Sequence, residues 1–177
     1  MMLSRTVYHI REGKEKIKFR KKSENQRLAI RSVWRYHAYK GEWTMPTVQF
    51  QVKTSSHTQM VDITSQVRKA VEDSGVKEGI CVVFVPHTTA AVTVNENADP
   101  DVQTDFMKEI NKIVPWEDGY RHFEGNSAAH LKASVMGFSE TLIIERGQLL
   151  LGTWQGIYFL EYDGPRNRRV CVKVMEG

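Results

Sequence analysis

The sequence predicts an α+β fold, and two observations support this. Alternating or continuous apolar runs, typical of strands, occur near both ends of the region from residue 45 to residue 177. Segments with helical spacing and recognisable start and stop signals lie between those strand regions. Strands at both ends with helices between them favour α+β over a doubly wound sheet.

The strands follow from the apolar pattern. Val48, Phe50 and Val52 alternate with polar residues and predict a half-buried first strand, and residues 60–63 predict a second. The apolar runs at 80–85 and 91–94 predict strands that are buried on both faces. The last strands are expected at 141–145, 148–151, 157–162 and 170–175.

Three helices are predicted from their end signals. Thr64 is placed to cap a helix that ends at Ser74-Gly75, and Asp99-Pro100 opens a second helix, which stops before Pro115. Asn126 is expected to cap a third helix over 127–136, closed by Gly137. On this third helix Leu131 and Val135 are expected to face the core.

The basic character of the chain belongs to its first 44 residues. The whole chain has 25 Lys+Arg and 21 Asp+Glu. Residues 1–44 hold 12 and 4 of these, a net charge of +8, and residues 45–177 hold the remaining 13 and 17, a net charge of −4. Three interpretations stay open for residues 1–44: a poorly ordered extension, an arm that binds nucleic acid or an anionic surface, or codons upstream of a natural start at Met45. Residues 28–36 could form a short amphipathic helix.

Composition narrows the class of protein. No run of about 18 apolar residues occurs, so no membrane span is expected, and no secretory signal is evident, so we expect a cytoplasmic protein. Cys81 and Cys171 each lie in a valine-rich strand and are expected to be buried thiols, with a single bridge between neighbouring strands as the alternative. No phosphate-binding loop or dinucleotide fingerprint is present, so no nucleotide cofactor is predicted.

The first candidate site lies where two apolar runs end. His87, Thr88 and Thr89 follow the run at 80–85, and Asn95 and Glu96 end the next run. If these two strands form a hairpin, Asn95 is expected near His87. Polar groups at one end of a buried strand pair are typical of binding sites.

The second candidate site spans a polar loop and the helix behind it. His122 and Glu124 point the same way in an extended loop. Asn126, His130 and Ser134 follow at intervals of four and share one helix face. An ordinary exposed helix face gives the same periodicity, and the histidines favour a site.

Three chemistries fit these residues. His87, His122 and His130, with Glu96 or Glu124, could hold a divalent metal such as magnesium or zinc. The same histidines could instead transfer protons near neutral pH. The amides at the start of the third helix could hold a phosphate, with Thr88, Thr89 and Lys132 as donors.

Two further segments carry a weaker signal. Gly152 and Gly156 bracket Trp154 and Gln155, which indicates a tight connection with close backbone approach. Trp154 could stack on a ring-shaped substrate or fill the core. Three arginines, Arg166, Arg168 and Arg169, follow a turn and are expected to form a solvated rim.

Five motifs in order resemble the YjbQ family, often labelled secondary thiamine-phosphate synthase, over residues 46–176. They are His87-Thr88-Thr89-Ala90-Ala91, Asn95-Glu96-Asn97-Ala98-Asp99-Pro100, His122-x-Glu124-Gly125-Asn126, His130-Leu131-Lys132-x-Ser134 and Gly152-Thr153-Trp154-Gln155-Gly156. The resemblance implies a compact β-sandwich-like sheet with two to three helices and a homotrimer.

The resemblance also implies an activity. In it a pyrimidine pyrophosphate joins a thiazole phosphate to give thiamine phosphate and pyrophosphate. We accordingly expect catalytic roles for His87, Glu96, His122 and His130, and substrate binding by Thr88, Thr89, Asn95, Asn126, Lys132, Ser134, Trp154 and Gln155. The alternative is a non-enzymatic oligomer that binds a metal or a phosphorylated metabolite.

Overall fold

The computed structural model describes residues 47–177, together with the backbone of two short strands before them. These are β1 (His37–Tyr39) and β2 (Glu42–Thr44), which pair antiparallel. The amphipathic helix expected at 28–36 and the basic run before it lie outside the described residues.

The described chain contains three helices and ten strands. The helices are α1 (Thr64–Ser74), α2 (Pro100–Ile113) and α3 (Ser127–Met136). The remaining strands are β3 (Val48–Lys53), β4 (Gln59–Asp62), β5 (Gly79–Phe84), β6 (Ala90–Glu96), β7 (Ser139–Glu145), β8 (Gln148–Leu149), β9 (Gln155–Glu161) and β10 (Asn167–Glu176). The predicted α+β fold is confirmed.

Two antiparallel sheets pack face to face. One has the order β3-β10-β5-β7-β8 and the other β4-β9-β6. Their facing sides, with α1, form the main core, to which β10 contributes Val170, Val172 and Val174. Because side chains alternate along a strand, β9 sends Ile157 and Phe159 into this core and Tyr158 and Leu160 to the opposite face. The predicted sandwich-like arrangement is confirmed.

Helices α2 and α3 cover the outer face of the three-stranded sheet. Tyr158 and Leu160 of β9 pack there against Ile110 of α2 and against Ala129 and Ala133 of α3. The alanines let α3 approach the sheet closely because they add little volume. This second core places the start of α3 beside the end of β9, where the candidate site lies.

Three details of the predicted elements are wrong. Ile63, rather than Thr64, occupies the capping position of α1, since the Thr64 hydroxyl accepts the Ile157 N–H across the core. Strand β5 is buried on one face only, because the outer face of its sheet has no covering layer among the described residues and leaves Phe84 exposed. Leu131 and Val135 are 45% and 61% exposed, since the alanines of α3 face the core instead.

Other predicted features hold. Asp99 caps α2 by accepting from the Asp101 N–H at 2.9 Å. Both cysteines are free thiols; Cys171 is only partly buried, whereas Cys81 is buried, which raises its pKa to about 12, as expected for an inert core thiol. Within the part of the chain that is described, no helix combines the length and the apolar character needed to cross a membrane.

Candidate functional site

His87 lies in the connection between β5 and β6, beside the start of β10. Its Nε2 accepts the backbone N–H of Arg169 at 2.8 Å. A ring nitrogen that accepts an N–H carries no proton, so the neutral ring has its proton on Nδ1. Burial lowers the pKa of His87, and the positive charges of Arg168 and Arg169 lower it further. His87 is therefore a neutral imidazole whose Nε2 is fixed by the Arg169 amide and whose N–H donor is at Nδ1.

A buried ion pair stands next to His87. Arg168 contacts both carboxylate oxygens of Glu161, with Nε donating at 2.7 Å and Nη2 at 2.5 Å. The same Nη2 donates to the Thr89 hydroxyl at 2.9 Å. The Glu161 side chain is fully buried and also accepts from the Thr54 hydroxyl and from two backbone amides. Such a satisfied network is rigid, and it fixes the backbone that holds His87.

The expected solvated rim is wrong for Arg168. This side chain is 7% exposed, whereas Arg166 lies on the surface and pairs with Asp163. The alternation along β10 carried the missed signal: Arg168 has the same parity as Val170 and Val172, so it points inward. Glu161 was missed because its run reads as an ordinary apolar strand, with nothing to mark a buried carboxylate.

Asn126 joins α3 to the turn after β9. Its side-chain Nδ2 donates to Asp163 Oδ2 at 3.3 Å, and no cap hydrogen bond to the helix forms from this side chain. Its Oδ1 is buried and has no partner among residues 47–177. Asn126 thus occupies the predicted capping position but uses its amide to position the connection between β9 and β10.

Lys132 lies inside the protein. It is 0% exposed, and its Nζ stands 3.4 Å from the centre of the Trp116 ring. Within the described range the ammonium has no hydrogen-bonding partner. Burial lowers the pKa of Lys132 to about 8. The predicted phosphate donor is therefore a buried, unpaired amine.

His122 and His130 come together as expected. Their ring centroids are 5.4 Å apart in an edge-to-face arrangement, and His122 Nε2 is 3.8 Å from Glu124 Oε2. With Tyr120, Ser127 and Leu131 they line a shallow pocket of about 380 Å³. Ser134, one turn further along α3, is exposed. The pocket is open enough to admit a small ring.

Asn95 does not lie near His87, and the hairpin expected between β5 and β6 is wrong. Strand β5 pairs with β10 and β7, whereas β6 pairs with β9 in the other sheet. His87 precedes Ala90, at one end of β6, and Asn95 and Glu96 stand at the other end. Ala90 and Glu96 are six residue steps apart along the strand, a distance of about 20 Å.

Trp154 and Gln155 belong to this far end. Gln155 pairs with Glu96, and its side chain accepts the Gly152 N–H at 2.8 Å, which closes the turn before β9. Trp154 is 63% exposed and does not fill the core. A side chain at Gly156 would lie 2.9 Å from Asn97 Cβ, so the predicted close approach occurs there.

The histidines do not form a ready set of metal ligands. In the described part of the chain no group of three or more His, Cys, Asp or Glu side chains is placed to hold a metal ion. His87 Nε2, a common metal-binding atom, already accepts from Arg169.

Comparison with known proteins fixes the family. A sequence profile described as "UPF0047 protein YjbQ-like" matches residues 48–177. The chain belongs to the YjbQ family. UPF0047 protein YugU of Bacillus subtilis is 48% identical over 126 residues, which is 71% of this chain and 96% of the relative. UPF0047 protein MJ1081 of Methanocaldococcus jannaschii is 49% identical over 127 residues, 72% of this chain and 92% of the relative.

Solved structures of YjbQ relatives share the fold. An uncharacterised conserved protein of the family from Clostridium acetobutylicum is 56% identical, covers 72% of this chain and 99% of its own, and gives a TM-score of 0.71. A protein from Sulfolobus solfataricus, titled as of unknown function, is 35% identical, covers 75% and 97%, and gives 0.72. The names of these relatives assign no reaction.

Proposed function

We propose that this YjbQ-family chain is an enzyme that acts on phosphorylated heterocycles, with thiamine-phosphate synthase activity. The observation that carries the proposal is His87, a neutral imidazole whose Nε2 accepts the Arg169 amide, which leaves the proton on Nδ1. A histidine fixed by a rigid buried network is preorganised to donate to a developing negative charge.

The proposed reaction needs a donor rather than a base. The ring nitrogen of the thiazole phosphate attacks the methylene carbon of hydroxymethylpyrimidine pyrophosphate. The bond from that carbon to the pyrophosphate oxygen breaks, and pyrophosphate leaves with the electron pair. The attacking nitrogen has no proton to lose, so the demand is for stabilisation of the leaving group. In this scheme His87 Nδ1–H donates to a pyrophosphate oxygen.

The remaining predicted residues divide by position. Thr88 and Thr89 adjoin His87, and the shallow pocket of His122 and His130 suits a heterocyclic ring. The homotrimer stays part of the proposal, and the exposed apolar side chains of Ile80 and Ile143 on the outer sheet face favour association. The proposal assigns no residue to a divalent cation, and magnesium is varied only in the assay.

The test is synthesis of thiamine phosphate by the full chain, with magnesium and with a chelator. We expect product from the wild type, and a loss of at least about a hundredfold in His87→Ala, because removing one preorganised donor costs on this order. His87→Gln retains an acceptor for the Arg169 N–H and lacks the imidazole N–H, so it should fold normally and stay inactive. Unchanged turnover in either variant would exclude the role of His87.

A non-enzymatic phosphometabolite-binding oligomer is the second candidate. The openness of the pocket at His122 and His130 favours it, because a site that leaves its ligand in water suits reversible binding. This candidate predicts ligand binding by the wild type with no product in either metal condition.

A further inference from the structure

Three buried polar atoms without partners lie where α3 packs on the end of β9. Four such side-chain atoms occur among the described residues, and Asn111 Oδ1 on α2 is one of them. The others are Asn126 Oδ1, Lys132 Nζ and Tyr162 Oη. A buried polar atom without a hydrogen bond costs free energy, so three in one region call for an explanation.

A series of contacts links the residues around Asn126 and Lys132. Asn126 contacts Asp163 through their side chains, and the next residue, Gly164, donates its N–H to the His57 carbonyl at 3.0 Å. The centroid of the His57 ring lies 4.4 Å from that of the Trp116 ring, and the Lys132 ammonium packs on the same Trp116 ring. Lys132 and Asn126 are in turn connected by α3, because Lys132 lies in this helix and Asn126 is its capping residue.

Tyr162 belongs to the same place. It precedes Asp163 and packs in the core cluster that includes Ala129, Ala133 and Trp116. Burial raises the pKa of its phenol, so the hydroxyl keeps its proton and can donate. We call this set, Asn126, Lys132, Tyr162 and Trp116, the α3 polar ring.

Among residues 47–177 no carboxylate pairs with the Lys132 ammonium, and the Asp163 carboxylate beside Asn126 pairs with Arg166. The ammonium of Lys132 has three N–H donors, and its only described contact is with the Trp116 ring. A cation on an aromatic ring recovers only a small part of the cost of burying an unpaired ammonium. An anion placed against Nζ would satisfy the charge and the donors together.

The other two atoms select the kind of anion. The Tyr162 hydroxyl donates to an anionic oxygen. Asn126 Oδ1 needs a donor, and its orientation is fixed because Nδ2 faces the Asp163 carboxylate. A partly protonated phosphate or pyrophosphate offers both kinds of oxygen, whereas sulfate and an ionised carboxylate offer acceptors alone.

We propose that the α3 polar ring is a binding site for a phosphate or pyrophosphate group, in which Lys132 and Tyr162 donate to the anion and Asn126 accepts from it. Trp116, half-buried in the connection between α2 and α3, and the exposed His57 cover the Lys132 ammonium. The anion enters by displacing the Trp116 ring. This site rests on the proposed function only for the identity of the substrate. Binding of the anion can be measured without turnover, so it is tested separately from the reaction.

The experiment is titration of the full chain with pyrophosphate, followed by calorimetry and by tryptophan fluorescence. Lys132→Met should weaken binding at least about tenfold, the effect of one charge-assisted hydrogen bond. Lys108→Met, an exposed lysine on α2, is the matched control and should bind as the wild type does. Phosphate should bind more tightly than sulfate. Asn126→Asp should abolish the binding of phosphate and pyrophosphate because it adds a negative charge.

Tyr162→Phe separates ligand binding from structure. Its hydroxyl has no partner in the described part of the chain, so removing it should leave stability unchanged or raised, while pyrophosphate affinity falls several-fold. Absence of pyrophosphate and phosphate binding by the wild type would overturn the proposal, as would equal affinity in Lys132→Met. A third outcome separates the two proposals. If the wild type binds pyrophosphate but makes no thiamine phosphate, and Lys132→Met loses the binding, this site is supported and the proposed reaction is rejected.

Discussion

At the scale of single residues, the candidate site contains groups whose environment changes their ordinary chemistry. His87 is kept neutral by burial and by nearby arginine charge, and Lys132 is an amine held on an aromatic ring. Neither state follows from residue type, since both depend on which neighbours surround the group. The unpaired amine has a consequence for stability that can be measured.

Stability should rise with pH because of Lys132. Its pKa is about 8 in the folded protein against 10.5 for an ordinary lysine, so the unfolded state binds more protons between those values. The cost of the buried charge, about 3 kcal/mol, is fully present below pH 8 and is relieved as pH rises. The free energy of unfolding in urea should therefore increase by about 1 to 2 kcal/mol from about pH 7 to about pH 9.5.

The matched variants isolate this effect. Lys132→Met should be more stable than the wild type near neutral pH and should not show the rise, whereas Lys108→Met should keep it. A wild type whose stability is flat or falls over this interval, relative to Lys132→Met, would show that the ammonium has a counter-charge.

At the scale of elements, one ion pair ties the two sheets together. Glu161 ends β9 in the three-stranded sheet, and Arg168 begins β10 in the five-stranded sheet. Thr89, just before β6, and Thr54, just after β3, join the same network. The pair therefore fixes the end of the sandwich at which His87 stands.

Removing one member of this pair should be far more costly than removing both. Arg168→Met leaves the Glu161 carboxylate buried and unpaired, which should lower the free energy of unfolding by about 3 to 5 kcal/mol. The double variant Glu161→Leu, Arg168→Met should recover more than half of that loss. Urea unfolding measures both.

Arg166→Met is the control, because Arg166 makes an exposed ion pair two residues earlier. Its loss should be at most about 1 kcal/mol. Equal effects of Arg166→Met and Arg168→Met would contradict the structural role given to the buried pair.

At the scale of the whole molecule, the predicted site residues separate into two groups. His87, Thr89 and the α3 polar ring lie towards the end of the three-stranded sheet where β9 finishes, whereas Asn95, Glu96, Trp154 and Gln155 lie at the other end. The sheet itself separates the groups by about 20 Å within one chain. One small substrate cannot contact both groups in the same subunit.

Trp154→Ala tests this separation. Its pyrophosphate affinity, measured as for Lys132→Met, should equal that of the wild type. A fall of tenfold or more would mean that Trp154 reaches the site from another copy, as a homotrimer would allow. The mass of the assembly in solution, from light scattering, distinguishes that outcome from a loss of folding.

The sequence determined which elements form and the family. Period-two alternation placed β3 and β10, and the Asp99-Pro100 and Gly137 signals placed the ends of α2 and α3, because these patterns act over a few residues. The motifs that brought His87, His122, Asn126 and Lys132 to attention are local too.

Only the tertiary structure decided how those elements meet. Strands β5 and β6 are neighbours in sequence and belong to different sheets, so Asn95 and His87 lie apart. Lys132 is buried because the small alanines of α3 let that helix pack closely on the sheet. Arg168 is buried because it pairs with the buried Glu161 carboxylate. Strand pairing and the partners of buried charges depend on contacts between distant residues, so local patterns such as the alternation along β10 do not reveal them.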